Sequence, residues 1–365
     1  MNRVALALVI VLLLIIPGCM RPYPQSTLTS EQQYRLQLVE EIKAFEKELG
    51  FEETENFKTY SDEVETYDFY FYTPRTTLPY SLDDPSLRYG TGKPQSAPFD
   101  LKEFDVFAYS VEAIAGVKTP VTRSLLRAPL ARFIHIIFHE DWHEQIDSPL
   151  GIEEPTAEVV SYAASLRFAE EKFGRDSAVF KTLNQEFQKK LKESEIYQRY
   201  YDELSLLYSQ FRSGKLSKKE TLSRKSSLLQ AMGDELKDLW GGKPAQLNNA
   251  FIAFQMTYFR HFPLMYQVFS ATDYDLEKTI DIFRWVPSQG VKFGSVEELK
   301  RIEAEVTDYL QSALTSKRGV FDTSVSSIYT MAQASQSALL FRSSGSQSNL
   351  AKLEVRSSFV HPFRH

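Results

Sequence analysis

The stretch Ile134–Ile146 reads I-H-I-I-F-H-E-D-W-H-E-Q-I and combines an apolar helical pattern with charged side chains. It contains the pattern H-E-x-x-H, in which His139 and His143 are four residues apart. Residues four apart lie above one another on a helix, so both imidazoles can bind one metal ion. Glu140 lies beside them, where it can act as general base on a water that the metal activates. The pattern predicts one Zn²⁺ ion, which needs a third protein ligand and an open position.

The residues before this pattern favour a buried helix. Pro129 suits a first helical turn, and the residues after it are apolar at helical spacing. The alternative is an ordinary core helix that carries surface histidines and no metal. The apolar residues on the predicted buried face are Leu130, Phe133, Ile134, Ile137 and Phe138.

A second helix follows after a short turn. Residues 147–151 read D-S-P-L-G, and the helix then runs from about Ile152 to Phe173, with Pro155 near its start and Gly174 at its end. A short turn makes consecutive helices antiparallel neighbours. A carboxylate at the start of the second helix can therefore face the two histidines.

Three glutamates in this position are candidates for the third ligand. We predict Glu154 as the ligand. Glu158 lies one turn further on the same face and is the alternative, either as ligand or as hydrogen-bond partner of a histidine N–H. We expect Glu153 to face solvent. All three also fit the simpler explanation that negative charge is favourable near a helix N-terminus.

Residues 1–19 are predicted to be a lipoprotein signal peptide. The apolar run Val4–Ile16 is too short to span a membrane comfortably but fits a secretory signal. It ends at Pro17-Gly18-Cys19, which resembles a lipobox whose cysteine is lipidated. Cys19 is the single cysteine, so an intrachain disulfide and a cysteine-ligated zinc site are excluded. We expect a bacterial envelope protein that a lipid on Cys19 holds on the membrane, facing the periplasm or the exterior; the alternative is an uncleaved anchor.

The remaining chain predicts one domain and a tail. We expect residues 20–315 to form a single predominantly helical α+β domain, and residues 316–365 to be a Ser-rich, poorly packed tail. A long helical hairpin is predicted at about residues 176–240, with a Ser-Gly turn at 213–214. The net charge of −6 and the lack of a basic run exclude nucleic-acid binding. We expect a monomer.

Local patterns predict the elements around the metal helix. Ser30–Leu49 is predicted as a helix that Ser30 caps with Gln33. Tyr67–Tyr72 and Phe104–Ile114 are predicted strands, and Pro79–Pro98 is a predicted loop. The aromatic strands either pair with an extended peptide at a sheet edge or simply cover the metal helix.

One apolar helix is predicted from about Ala250 to Phe269. It contains Tyr258, which can donate a hydrogen bond to an oxyanion or can be a packing residue. The preceding Asn248 and Asn249 either cap this helix or contact substrate. Helix is also predicted for most of Leu276–Leu310, with a break near Pro287–Gly290.

These features together resemble the predicted zinc-dependent aminopeptidase family of bacterial lipoproteins, which is of gluzincin type. The resemblance covers roughly residues 19–285 and rests on four motifs in order. These are the lipobox, R-F-I-H-I-I-F-H-E at 132–140, E-E-P-T-A at 153–157 where the family has N-E-S-x-A, and L-N-N-A at 247–250 followed by T-Y at 257–258 and Pro263.

The resemblance implies zinc ligands at His139, His143 and Glu154, with Glu140 as general base and Tyr258 at the site. The chain departs from the family at Glu153 and Pro155, which flank the ligand, and at Phe259, where the family has histidine. The sequence thus predicts a membrane-anchored zinc metallopeptidase that acts as an aminopeptidase on peptide substrates. The alternative is a non-catalytic envelope lipoprotein that uses zinc structurally or binds a protein partner.

Overall fold

The computed structural model describes residues 28–94, 100–242 and 247–317. The predicted signal peptide with Cys19 and nearly all of the predicted tail lie outside these ranges. The described chain is mostly helical with two small sheets, so a predominantly helical α+β fold is confirmed. Its elements are α1 (Ser30–Glu48), β1 (Tyr60–Ser61), β2 (Tyr67–Pro74), β3 (Arg88–Thr91), β4 (Phe104–Val111), β5 (Val121–Thr122), α2 (Arg123–Arg127), α3 (Leu130–Trp142), α4 (Leu150–Phe173), α5 (Ala178–Arg212), α6 (Lys218–Trp240), α7 (Asn249–Phe259), α8 (Phe262–Ala271), α9 (Leu276–Arg284) and α10 (Val296–Lys317).

The first helix begins with a capping box one residue earlier than predicted. The Thr29 side chain accepts a hydrogen bond from the backbone N–H of Gln32, whose side chain accepts one from the backbone N–H of Thr29. The prediction of Ser30 and Gln33 was therefore wrong in register. A Thr-Ser pair offers two hydroxyls that can cap, and the sequence does not distinguish them.

The larger sheet has the strand order β3-β2-β4 and is antiparallel throughout. Strand β3 lies inside Pro79–Pro98, so the prediction of an uninterrupted loop was wrong. Gly90 makes this strand possible, because a Cβ there would lie 2.3 Å from Cζ of Tyr70, whose ring covers it. The other two strands, β1 and β5, form a short parallel pair.

The sheet packs mainly on α7 through aromatic side chains. Phe107 lies 5.0 Å from Phe254 between ring centroids, and Tyr109 lies 4.7 Å from the same ring. The helix predicted to continue to Phe269 is broken between Phe259 and Phe262. Pro263 follows this break in the first turn of α8, the position where proline costs no hydrogen bond.

The predicted helical hairpin is confirmed as α5 and α6, and a buried ion pair fixes it to the sheet. Lys225 of α6 donates to Asp105 of β4, which also accepts the backbone N–H of Asn249 at 2.9 Å. Asn248 caps α7 by accepting the backbone N–H of Phe251 at 3.0 Å. The capping alternative for Asn248 is thus the observed one.

The antiparallel pair α3 and α4 lies at the centre of the described chain. Trp142 donates through Nε1 to Oγ1 of Thr156 at 3.0 Å and ties the two helices together. Asp141 is fully buried, accepts from Thr54 at 2.6 Å, and pairs with Lys43 of α1. Two side chains of H-E-x-x-H that cannot bind the metal therefore hold its helix in place. Within the described ranges, none of the helices has the length and apolar composition needed to cross a membrane.

Candidate metal centre

Three predicted ligand atoms converge where the end of α3 faces the first turns of α4. Nε2 of His139 lies 3.2 Å from Oε2 of Glu154 and 3.1 Å from Nε2 of His143. The third side of the triangle, from Nε2 of His143 to Oε2 of Glu154, measures 3.5 Å. The structure therefore brings together the three side chains that the sequence predicts as metal ligands.

The size of this triangle fits a zinc ion. A tetrahedron with metal–ligand bonds of about 2.0 Å has edges of about 3.3 Å, close to all three separations. The donor set of two imidazoles and one carboxylate is also one that zinc accepts. Three ligands leave a fourth tetrahedral corner, which a catalytic site needs for water or substrate.

Glu153 fixes the orientation of His143. Its Oε1 lies 2.6 Å from Nδ1 of His143, and its side chain is only 14% exposed. The prediction that Glu153 faces solvent was therefore wrong. Because Nδ1–H donates to this carboxylate, the lone pair of Nε2 points toward the centre of the triangle. His143 is the C-cap residue of α3, where no following helical turn constrains it, so this bond matters for its position.

The charges of the triangle favour a cation. Burial disfavours protonation of His143, but Glu154 and then Glu153 outweigh burial and raise its pKa well above the ordinary value. Burial likewise opposes ionisation of Glu154, yet His143 and His139 together lower its pKa. A proton thus resides on the imidazole rather than on the carboxylate, and a metal ion would replace that proton.

Glu140 lies beside the triangle and is half-buried. Burial raises its pKa, while the nearby His139 and His143 oppose the shift. The backbone N–H of Ala115, just after β4, donates to its carboxylate. A carboxyl whose pKa is shifted toward neutrality suits a group that takes up and returns a proton.

Two tyrosines from different elements lie near these carboxylates. Burial raises the pKa of Tyr258 well above its ordinary value, and the charge of Glu154 is the largest further cause, followed by Tyr109. Burial also raises the pKa of Tyr109 of β4, and the charge of Glu154 is again the second-largest cause. Both phenols therefore stay protonated and can donate hydrogen bonds. The sequence singled out Tyr258 but gave no signal for Tyr109, one of many aromatic residues in a predicted strand.

A second group of possible ligands lies one helical turn away. It consists of His135, His139 and Glu158, each with one ligand atom within 4.8 Å of the others. Glu158 is on the face of α4 that the sequence predicted, but its Oε2 lies 3.0 Å from Nζ of Lys190 of α5. The ammonium already neutralises this carboxylate, which makes it a poorer ligand than Glu154.

Asp83 holds the first turn of α4, which has no cap of its own. The N-cap residue is Pro149, whose side chain cannot accept a hydrogen bond. Instead Oδ2 of Asp83 accepts the backbone N–H of Leu150 at 2.6 Å. The neighbouring Leu82 donates its backbone N–H to Thr257, the residue before Tyr258. This loop therefore connects the helix that carries Glu154 to the helix that carries Tyr258.

No family model, curated protein or solved structure matches this chain. The resemblance to the aminopeptidase family stays a prediction, and the geometry of the described residues carries the functional argument.

Removal of the carboxylate that orients His143 should weaken zinc binding. We expect Glu153→Ala to lower zinc affinity about 10–100-fold, the usual cost of losing a group that positions a metal ligand. Competition with a chromophoric chelator measures the affinity. The matched control is Glu171→Ala on the exposed end of α4, which should bind zinc like the parent. Equal affinities of the parent and Glu153→Ala would contradict the orienting role.

The burial of Asp83 should make stability pH-dependent. Burial raises its pKa to about 7, although the hydrogen bond from Leu150 opposes the shift. The folded protein then binds this proton more tightly than the unfolded chain, so stability falls as the pH rises from about 4 to about 7. At about 1.4 kcal/mol per pKa unit, this loss of folding stability is on the order of 4 kcal/mol in the metal-free protein. We expect Asp83→Asn to remove it.

Denaturant unfolding at a series of pH values measures this difference. Asp83→Asn keeps an acceptor for the Leu150 N–H, whereas Asp83→Ala removes it and should cost about 0.5–2 kcal/mol at pH 4. A stability difference between the parent and Asp83→Asn that does not change with pH would show that Asp83 titrates as an exposed carboxyl does.

Proposed function

We propose that this protein is a zinc metallopeptidase that acts as an aminopeptidase and is anchored in the bacterial envelope by a lipid on Cys19. The observation that carries the proposal is the triangle of His139, His143 and Glu154, whose edges fit tetrahedral zinc. Glu140 beside the triangle adds the proton-transfer group that a merely structural zinc site would not need.

Zinc held by His139, His143 and Glu154 would supply Lewis-acid polarisation of a carbonyl and would activate water at neutral pH. Glu140 takes the proton of the attacking water and passes it to the leaving amine. The hydrogen bond from Ala115 holds its carboxylate toward the end of β4. Because burial raises its pKa, the protonated form that must exist between these two transfers is less unfavourable than for an exposed glutamate.

Tyr258 and Tyr109 are the proposed donors to the oxyanion that forms on the scissile carbonyl. Both phenols keep their protons, and both lie near the charge of Glu154. Donors held in a buried site stabilise developing charge strongly because they need not reorganise. Tyr258 follows Thr257, whose side chain accepts the backbone N–H of Leu82. Because Asp83 in the same loop caps α4, these bonds fix α7 relative to α4.

The end of β4 is the proposed place for the peptide backbone. β4 is an outer strand of the three-stranded sheet. Its last residues are held against α3, because Glu112 next to the strand forms a bidentate pair with Arg132 at 2.8 and 2.9 Å. An extended peptide can add to such an edge by backbone hydrogen bonds.

Negative charge around the start of α4 supports a substrate with a free amino group. Asp83 titrates under the influence of three other carboxylates, those of Glu303, Glu153 and Glu154. A field of this sign attracts the ammonium of a peptide N-terminus. We therefore expect free aminoacyl substrates to be cleaved faster than the same substrates with an acetylated N-terminus.

The substitution Glu140→Gln tests the proposed chemistry. It removes the proton acceptor and leaves the three ligands in place, so the variant should bind one zinc ion like the parent. We expect kcat to fall about 10²–10⁴-fold, the usual contribution of general acid–base catalysis. The measurement uses a panel of aminoacyl anilides and short peptides, free and acetylated, together with the zinc content of each protein.

Glu144→Gln is the matched control, because Glu144 is an exposed glutamate just beyond the end of α3. It should retain both zinc and activity. A zinc-loaded parent that cleaves no member of the panel would favour the alternative, an envelope lipoprotein with structural zinc. A Glu140→Gln variant as active as the parent would exclude the proposed mechanism.

A further inference from the structure

Two overlapping groups of ligands lie between α3 and α4. α3 carries His135, His139 and His143 at intervals of four residues, and antiparallel α4 carries Glu154 and Glu158 at the same interval. His139, His143 and Glu154 form one group, here named the metal rung. The other, here named the lysine rung, consists of His135, His139 and Glu158. Both groups offer zinc two imidazoles and one carboxylate, so ligand chemistry alone does not decide between them.

The two rungs differ in the cations that contact them. Lys190 reaches the lysine rung from α5, and its Nζ lies 3.0 Å from Oε2 of Glu158. Glu154 has no lysine or arginine partner among the described residues, and its ion pairs there are with His139 and His143. A lysine ammonium therefore already occupies one rung, whereas the other holds only a proton that a metal ion can replace.

Lys190 is built into the interior as an ammonium. Its Nζ lies 5.8 Å from the ring centroid of Tyr162 and 5.3 Å from that of Phe259, so both rings contribute cation–π contacts. Burial disfavours the charge, but Glu158 and then Tyr162 outweigh burial and raise the pKa of Lys190. The lysine rung thus keeps its ammonium at neutral pH.

His135 in the lysine rung is held by packing inside the protein. Its ring packs against Tyr162 with 4.0 Å between centroids. Its Nδ1 is buried and has no hydrogen-bond partner among the described residues. Beside the ammonium, the lysine rung thus offers two imidazoles and one carboxylate within 4.8 Å of one another.

We propose that Lys190 selects the position of the metal, because its ammonium neutralises Glu158, repels a divalent ion from the lysine rung and so favours the metal rung, the other of the two ligand groups found among the described residues. The inference rests on the proposed zinc site and adds a latent second site, which one substitution should open. Lys190 acts here as a positioning residue and takes no part in the reaction.

The test moves the ion from one rung to the other. Glu154→Gln should weaken zinc binding roughly 100-fold or more, since it removes one of three protein ligands. Adding Lys190→Met removes the ammonium with little change in side-chain length. We expect the double variant to regain at least about tenfold in zinc affinity over Glu154→Gln, because Glu158 becomes available as a ligand. Competition with a chromophoric chelator measures all affinities.

Two controls separate charge from packing. Glu154→Gln with Lys190→Arg keeps a cation beside Glu158 and should not regain affinity. Addition of His135→Ala to the Glu154→Gln/Lys190→Met variant should abolish the regained binding, since it removes a ligand of the lysine rung. If the Lys190→Met double variant binds zinc as weakly as Glu154→Gln, or if Lys190→Arg restores binding equally, the proposal is wrong.

A second measurement does not depend on the folding of variants with an unpaired Glu158. In the otherwise unchanged protein, His135→Ala should alter zinc affinity less than about threefold, while His143→Ala should lower it roughly 100-fold or more. A large loss for His135→Ala with little loss for His143→Ala would place the ion in the lysine rung and overturn the proposal, and equal losses for the two variants would overturn it as well. A parent that binds no zinc would overturn the proposed function itself, which keeps the two failures distinguishable.

Discussion

The structure depends on bringing three proposed ligand atoms from two helices to within 3.5 Å of one another. Such an arrangement is repulsive unless a proton or a metal ion lies between the atoms, so the fold must hold it from outside. The indole of Trp142 joins α3 to α4, and buried Asp141 joins α3 to α1. Asp83 supplies the cap that Pro149 cannot, which fixes the first turn of α4 and with it Glu154. The apolar core then fills the space around a site whose geometry these polar contacts define.

Charge pairing also favours one place for the proposed cation. Most carboxylates around α3 pair with a lysine or arginine or hold a histidine in position, which lowers their tendency to attract a metal. Glu154 differs, because among the described residues no lysine or arginine pairs with it and its ion pairs are with the two proposed ligand histidines. The pairs are Asp141 with Lys43, Glu112 with Arg132, Glu158 with Lys190 and Glu153 with His143.

Much of this arrangement is predictable from sequence because it is local. The spacing of His139 and His143 and the short turn to α4 are enough to bring the glutamates at the start of α4 opposite the histidines. Helix periodicity also predicted the hairpin of α5 and α6, whose ends in the structure differ from the predicted ends by at most two residues. These features depend on contacts between residues close in the chain, which sequence patterns record.

The features that sequence reasoning missed depend on contacts between distant segments. Glu153 and Glu154 are adjacent, and which one faces a given histidine depends on the packing angle of the two helices. Lys190 lies on α5, the first helix of the hairpin, and Asp83 lies in a loop far from α4 in sequence. No local pattern marks either residue. β3 was missed because a glycine between polar residues usually indicates a turn. Here Gly90 instead makes room for the ring of Tyr70.

X-ray absorption spectroscopy of the zinc-loaded protein tests the central claim most directly. The account predicts a first shell of four nitrogen or oxygen atoms at about 2.0–2.1 Å. Two are nitrogens of imidazoles, whose rings add multiple scattering, and the others are one carboxylate oxygen and one solvent oxygen. A shell with three imidazoles, or with four protein ligands and no solvent, would contradict it.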